Sequence, residues 1–175
     1  MNELQYPIGK WEYEEPKNGF EKELLLDSLA MVPAILRSEV DQLTDEQLNT
    51  PYRPEGWTVR QVVHHLADSH INAYTRFKLA LTEVEPVIKT YDQDLWAETA
   101  DSKSAGIDFS LDLLDAVHRK WNQLLRSLTD SDLMKSYFHP ETGQLVSLKE
   151  ALSLYEWHGR HHIAHITTLK QSNGW

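Results

Sequence analysis

The chain has 175 residues, 41% hydrophobic and 25% charged, which predicts one globular domain over residues 1–175. Its formal net charge of -10 argues against nucleic acid and anionic membranes as partners, because both require a basic face. The absence of cysteine excludes disulfides and thiolate ligands, and the absence of a signal peptide or apolar span predicts a cytoplasmic protein.

The first part of the chain predicts an irregular arm followed by one long helix. Prolines and glycines within residues 1–19 predict the arm. Apolar residues at helical spacing predict a helix from Phe20 to about Val40, and Pro33 is expected to kink it or to break its hydrogen bonding locally. A shorter helical turn is predicted over Thr44–Leu48, because a Thr-x-x-Gln capping box begins it.

A second long helix is predicted after the loop Asn49–Trp57. It begins at Thr58 with another Thr-x-x-Gln capping box and continues to about Leu81. The following segment, Glu83–Ser110, shows no clear periodicity, and loops of this length in compact domains are often functional. A segment this long permits a crossover, so consecutive helices need not be simple neighbours in the bundle.

The rest of the chain predicts two further helices with a hairpin between them. Ser110 is predicted to cap a third helix over Leu111–Leu128. Residues Ser136–Ser147 alternate around a Pro-Glu-Thr-Gly turn and predict a β-hairpin. A Ser-x-x-Glu capping box then begins a fourth helix that runs to about Gln171. The predicted fold class is all-α, a four-helix bundle with a crossover loop and a small β-hairpin before the last helix.

Four of the nine histidines lie close together on the predicted fourth helix. They form two pairs four residues apart, His158 with His162 and His161 with His165, and residues at that spacing share one helix face. Zinc metalloproteases place two ligands in this way, although Gly159 stands where they carry a glutamate. Such pairs also occur by chance on helix surfaces, so the pattern alone leaves a metal site and a surface cluster open.

A second histidine cluster, His64–His65, lies on the predicted second helix. If the second and fourth helices face each other, His65 can join His158 and His162. Three imidazoles with one open position form a catalytic zinc site, whereas a structural site would be closed by four protein ligands. The predicted cofactor is one divalent ion per chain, with zinc favoured and nickel as the first alternative. Imidazole ligands also suit copper and iron, so the sequence identifies the ligands better than the metal.

Neighbouring side chains are candidates to orient these ligands by hydrogen bonds. They are Asp68 and His161, with His64 and His165 beside them. Asp68 lies one turn from His65 and has a carboxylate that can accept an imidazole proton. An exposed carboxylate on the helix surface is an equally open interpretation.

Two stretches of the chain resemble the DinB/YfiT-like superfamily. They are GWTVRQVVHHLADSH in the second helix and YEWHGRHHIAHI in the fourth, and the resemblance extends from the first helix to the last. It implies that His65, and not His64, is the first metal ligand, with His158 and His162 completing the set. It also implies an antiparallel four-helix bundle of unusual topology, a divalent metal on three histidines and a homodimer.

The resemblance implies an enzyme that acts on a small molecule, in one of two ways. The first is metal-dependent hydrolysis, in which water is activated at the cation for attack on the substrate. The second is S-transfer, which joins a low-molecular-weight thiol of the bacillithiol type to an electrophile. A non-catalytic metal-binding module is the third possibility.

The sequence does not decide between hydrolysis and S-transfer. No carboxylate is placed as an unambiguous general base, which slightly favours transfer. A charged thiol would need a basic pocket in this acidic chain, for which Arg60, Arg76 and Arg160 are the candidates.

Overall fold

The computed structural model describes residues 4–16 and 18–175, without the side chain of Phe20. Positions 1–3 and 17 of the predicted arm lie outside the described residues. The described chain forms helices α1 (Gly19–Val40), α2 (Asp45–Leu48), α3 (Val59–Thr82), α4 (Gln93–Ala97), α5 (Ala100–Ser104), α6 (Ile107–Ser127), α7 (Asp130–Leu133) and α8 (Leu148–Asn173), with strands β1 (Ser136–His139) and β2 (Gln144–Ser147). None of these helices is long and apolar enough to cross a membrane.

The four long helices α1, α3, α6 and α8 form the predicted bundle. Helices α1 and α3 each pack against both α6 and α8. The long connection after α3 therefore joins neighbouring helices, α3 and α6. The other two connections, from α1 to α3 and from α6 to α8, join helices on opposite corners of the bundle. The core between them is filled by large buried side chains, including Leu36, Leu66, Phe77, Leu114, Trp121, Leu152 and Ile166.

The predicted capping boxes set the beginnings of three helices. Thr44, Thr58 and Ser147 each accept a hydrogen bond from the backbone N–H three residues later, and the side chain at that later position binds the cap's own N–H. These bonds satisfy backbone donors that the first turn of a helix leaves unpaired. The sequence therefore predicted where α2, α3 and α8 begin.

The segment Glu83–Ser110 is more regular than the sequence predicted. It contains α4, α5 and the first turn of α6, which begins after Gly106. Ser110 is not the cap of this helix, and its hydroxyl lies 2.7 Å from Nδ1 of His64 instead. Helices of five residues are too short to show an apolar stripe, which is why periodicity did not predict them.

The hairpin between α7 and α8 matches the sequence prediction. Strands β1 and β2 pair antiparallel, with Ser136 opposite Ser147 and His139 opposite Gln144. Gly143 in the turn has φ +67, a left-handed conformation that costs glycine little. Because β2 runs directly into the cap of α8, the hairpin fixes where the helix with the histidine pairs begins.

Gly159 allows a close approach between α1 and α8. A Cβ atom placed on Gly159 would lie 2.6 Å from Cγ2 of Val32, inside van der Waals contact. Val32 is buried in the core, where it packs among other buried side chains. The residue that follows His158 in the sequence is therefore constrained by helix packing.

We expect Gly159→Ala to lower the free energy of unfolding by about 1–3 kcal/mol, because overpacking outweighs the gain of about 1 kcal/mol in helix propensity. Chemical denaturation measures this change. Val32→Ala in the same chain should recover part of the loss, since it removes the two methyl groups that the new Cβ contacts. Equal losses with and without Val32→Ala would contradict the packing explanation.

Candidate metal centre

Three predicted histidines converge between α3 and α8. One potential ligand atom from each of His65, His158 and His162 lies within 4.8 Å of those of the other two. Nε2 of His65 is 3.3 Å from Nε2 of His158. Helix α8 supplies the pair at i,i+4 spacing, and the contact between α3 and α8 supplies the third imidazole.

The spacing of these nitrogens suits a shared cation. Zinc–nitrogen bonds of about 2.0–2.1 Å at tetrahedral angles place two ligand nitrogens roughly 3.3–3.4 Å apart. The observed 3.3 Å between His65 and His158 agrees with that spacing. Without a cation, the same distance allows a hydrogen bond between the two rings.

Burial keeps all three imidazoles in the form that binds a metal. Desolvation lowers the pKa of His65 to about 4. Desolvation also holds the pKa values of His158 and His162 well below the ordinary value, and the neighbouring histidines lower them further. All three are therefore neutral at pH 7, and a neutral imidazole has the lone pair that a divalent cation needs.

The site opens on one side to a cleft of about 620 Å³. Trp57 forms one wall of the site, with its ring centroid 4.6 Å from that of His65 and 6.1 Å from that of His162. His158 is half-buried and lies where this cleft and a second one meet. A cation on the three histidines would therefore keep a coordination position that a small molecule can reach.

The remaining histidines of the two clusters face other partners. His64 contacts Ser110, as described above. Nε2 of His165 donates to the backbone carbonyl of Gln5 at 3.2 Å, and its ring stacks on Tyr52. The ring of His161 stacks on Trp157 at 4.4 Å. Within the described residues no hydrogen bond joins these three histidines to the site, and the orienting role of His161 and His165 stays a prediction. Because Nδ1 of His64 is taken by Ser110, we expect no orienting role for His64.

Asp68 is half-buried on α3, one turn after His65, and its carboxylate accepts no hydrogen bond from an imidazole in the described chain. Burial raises the pKa of Asp68 to about 6, and the charge of Asp101 contributes to the rise. The carboxylate therefore faces an unfavourable environment when ionised. Its predicted role as an acceptor for a ligand histidine stays a prediction.

The sequence did not identify the residue outside the site whose side chain lies within hydrogen-bond distance of His158. Nδ1 of His158 lies 3.2 Å from Nε2 of His70, and Nδ1 of His70 lies 2.7 Å from Nε2 of His118. Both new histidines are buried among apolar residues of α3 and α6. A single histidine on an apolar helix face gives no sequence signal beyond that of an ordinary core residue, so only the packed structure identifies it.

Comparison with known proteins identifies the family to which this fold belongs. The model of the DinB superfamily matches residues 28–166. The chain is 51% identical to YfiT of Bacillus subtilis over 172 residues, covering 98% of this chain and 97% of the relative. It is also 51% identical to a Bacillus pumilus protein over 175 residues, covering 100% of this chain and 99% of the relative. Both relatives have provisional names as metal-dependent hydrolases.

A solved structure of Bacillus subtilis YfiT has the same fold. It superposes with a TM-score of 0.96 at 50% sequence identity, covering 99% of each chain. That protein is described as having an unusual four-helix bundle topology. The comparison confirms the predicted fold class and agrees with the diagonal connections of the bundle.

Alanine at His65, His158 or His162 should in each case abolish zinc binding, because two imidazoles hold the ion too weakly to survive dialysis. Elemental analysis after dialysis measures the loss, against about one ion per unaltered chain. His64→Ala is the matched control, since this buried neighbour of His65 faces Ser110 and should leave the metal content unchanged. Full metal content in the His158→Ala protein would contradict the assignment.

Asp68→Asn should stabilise the metal-free protein at pH 7 by about 1 kcal/mol, a figure reduced for solvent screening at a half-buried group. The folded pKa is raised to about 6 from 3.8, so the stability linked to this group is greatest below pH 3.8 and falls as pH rises through about 6. Denaturation at a series of pH values tests this, and the gain should disappear below pH 3.8. A gain that does not depend on pH would contradict the assignment to the carboxylate charge.

Proposed function

The chain belongs to the DinB superfamily, and on this basis we propose that it is a metal-dependent hydrolase with a zinc ion on His65, His158 and His162. The observation that carries the proposal is the convergence of three neutral imidazoles at the wall of an open cleft. When bound, such an ion acidifies water and polarises a substrate oxygen or sulfur. Three protein ligands also leave the open position typical of catalytic zinc.

The side chains around the cleft suit a small substrate. Trp57 and Tyr52 provide aromatic surface beside the histidines. Arg53 borders the cleft, and its guanidinium donates to Tyr52 and to the Pro54 carbonyl rather than to a carboxylate in the described chain. A substrate with a polar or anionic group next to an apolar part would match this lining.

Proton transfer in hydrolysis would fall to a carboxylate on the cleft wall. The candidates there are Glu55, Asp94 and Glu98. Hydrogen bonding from Lys103 lowers the pKa of Glu98, which makes this group a weaker base than an ordinary glutamate. No carboxylate joins the three-histidine group within the described residues, so a base would act from across the cleft.

S-transfer with a low-molecular-weight thiol is the second candidate function, and Arg76 supports it. Of the three predicted arginines, Arg60 is held by Asp45 and Arg160 by Glu156, which neutralise them. Arg76 donates to the Tyr155 hydroxyl, forms no ion pair in the described chain, and lines the second cleft beside His158. It is therefore available to bind an anionic group of a thiol cosubstrate.

Chelation should leave the far-UV circular dichroism nearly intact, because the buried apolar core does not depend on the ion. The melting temperature should fall, because zinc binds only the assembled site. When free zinc is present at 100 times its Kd, its removal lowers the free energy of unfolding by about 2.7 kcal/mol. Turnover of a panel of carboxylic esters should disappear and return when zinc is added back. Ester hydrolysis that survives in metal-free protein or in His158→Ala would contradict the proposal.

The same metal-free and zinc-restored samples should be assayed with bacillithiol and a fluorogenic electrophile. Zinc-dependent thioether formation without ester hydrolysis would identify the S-transferase. Zinc binding without either activity would favour the non-catalytic module. The homodimer and the cytoplasmic location stay predictions, which sedimentation and fractionation test.

A further inference from the structure

A continuous series of hydrogen-bonded imidazoles leads away from the candidate metal centre. It starts at Nδ1 of His158, passes through both ring nitrogens of His70 and then of His118, and ends at the backbone carbonyl of Leu29. The three separations are 3.2, 2.7 and 3.0 Å. The series crosses the whole bundle, since its four members belong to α8, α3, α6 and α1.

Pro33 explains why the Leu29 carbonyl is available. In an α-helix this oxygen would accept the N–H of the residue four positions later, which here is Pro33 and has no N–H. The oxygen of Leu29 is therefore left without its helical donor in the middle of α1. His118 Nδ1 supplies the missing donor at 3.0 Å.

The carbonyl determines which nitrogen carries the proton in every ring of the series. A carbonyl oxygen only accepts, so Nδ1 of His118 must donate its N–H. A neutral imidazole has one N–H, so Nε2 of His118 accepts, and it can accept only from Nδ1 of His70. By the same step Nε2 of His70 accepts from Nδ1 of His158. The lone pair of His158 is then on Nε2, the nitrogen that lies 3.3 Å from His65.

We propose that His70 and His118 are positioning residues that hold His158 in the tautomer and orientation required of a metal ligand. The proposal rests on the proposed metal site. A histidine that binds a metal through one ring nitrogen usually donates the N–H of the other directly to a carboxylate or carbonyl. Here His158 donates to His70 instead, and the hydrogen bonds of His70 and His118 connect it to the Leu29 carbonyl. Nδ1 of His162, by contrast, is buried without a protein partner in the described chain.

Nuclear magnetic resonance of the unaltered chain tests the tautomers directly. In metal-free protein with ¹⁵N-labelled histidine, two-bond ¹H–¹⁵N correlations should show protonated Nδ1 and unprotonated Nε2 in His70, His118 and His158. A protonated Nε2 in any of these three would overturn the proposal. Because no residue is changed, this measurement gives the tautomer of each ring even where a variant does not fold.

Two substitutions at His70 separate positioning from packing. His70→Phe keeps a ring of similar volume and removes the acceptor, so zinc should bind about 10–100-fold more weakly in competition with a chromophoric chelator. His70→Gln places an amide oxygen where Nε2 was, so it should restore most of the affinity. His64→Phe is the matched control, a buried histidine of the same helix outside the series, and its zinc affinity should not change.

The outcomes distinguish this proposal from the proposed function. If His70→Phe and His70→Gln weakened zinc binding equally, His70 would act through packing alone. If folded His70→Phe kept its full zinc affinity, His70 would have no role in zinc binding. Either result overturns the proposal. If the unaltered chain bound no zinc, the proposed function would fail, whereas the tautomers measured in metal-free protein would still decide the hydrogen-bonded series.

Discussion

The burial of uncharged imidazoles inside a helical bundle is the constraint on which the candidate site depends. Desolvation is the main cause of the lowered pKa of each histidine in the site, so the same packing that positions the rings also keeps them neutral. Neutral buried rings still need hydrogen-bond partners for their nitrogens. Each buried nitrogen left unpaired destabilises the fold by about 1–3 kcal/mol. A bundle that places several such rings together at this cost is organised for their chemistry rather than for stability alone.

Two of the positions that shape the site act through the backbone of α1 and α8. Pro33 removes a hydrogen-bond donor from α1 and leaves the Leu29 carbonyl to His118. Gly159 lets α8 approach Val32 and, for the same reason, excludes the glutamate that follows the first histidine in zinc proteases, because its Cβ would have no space. The helix packing therefore separates this site from the protease type even though the histidine spacing is shared.

The local features of the fold were readable from the sequence, and the features that depend on contact between distant segments were not. Capping boxes and hydrophobic periodicity predicted the long helices, and i,i+4 spacing predicted the His158–His162 pair, because these signals act within a few residues. The family resemblance then selected His65 over His64. The approach of His118 to His70, and of Ser110 to His64, depends on how α3 and α6 pack, so no pattern within one segment predicts it.

The chemistry of an all-histidine site follows from its charge. Imidazole ligands are neutral, so they leave the full charge of a divalent cation in place, whereas thiolates or carboxylates would cancel part of it. Within a chain of net charge -10, such a site would be a local positive centre facing a cleft with Arg53 on its wall. That charge favours binding of an anionic or readily ionised nucleophile, either water or a thiol, close to the acceptor. Hydrolysis and S-transfer would therefore be two uses of one electrostatic arrangement, and the groups across the cleft would decide between them.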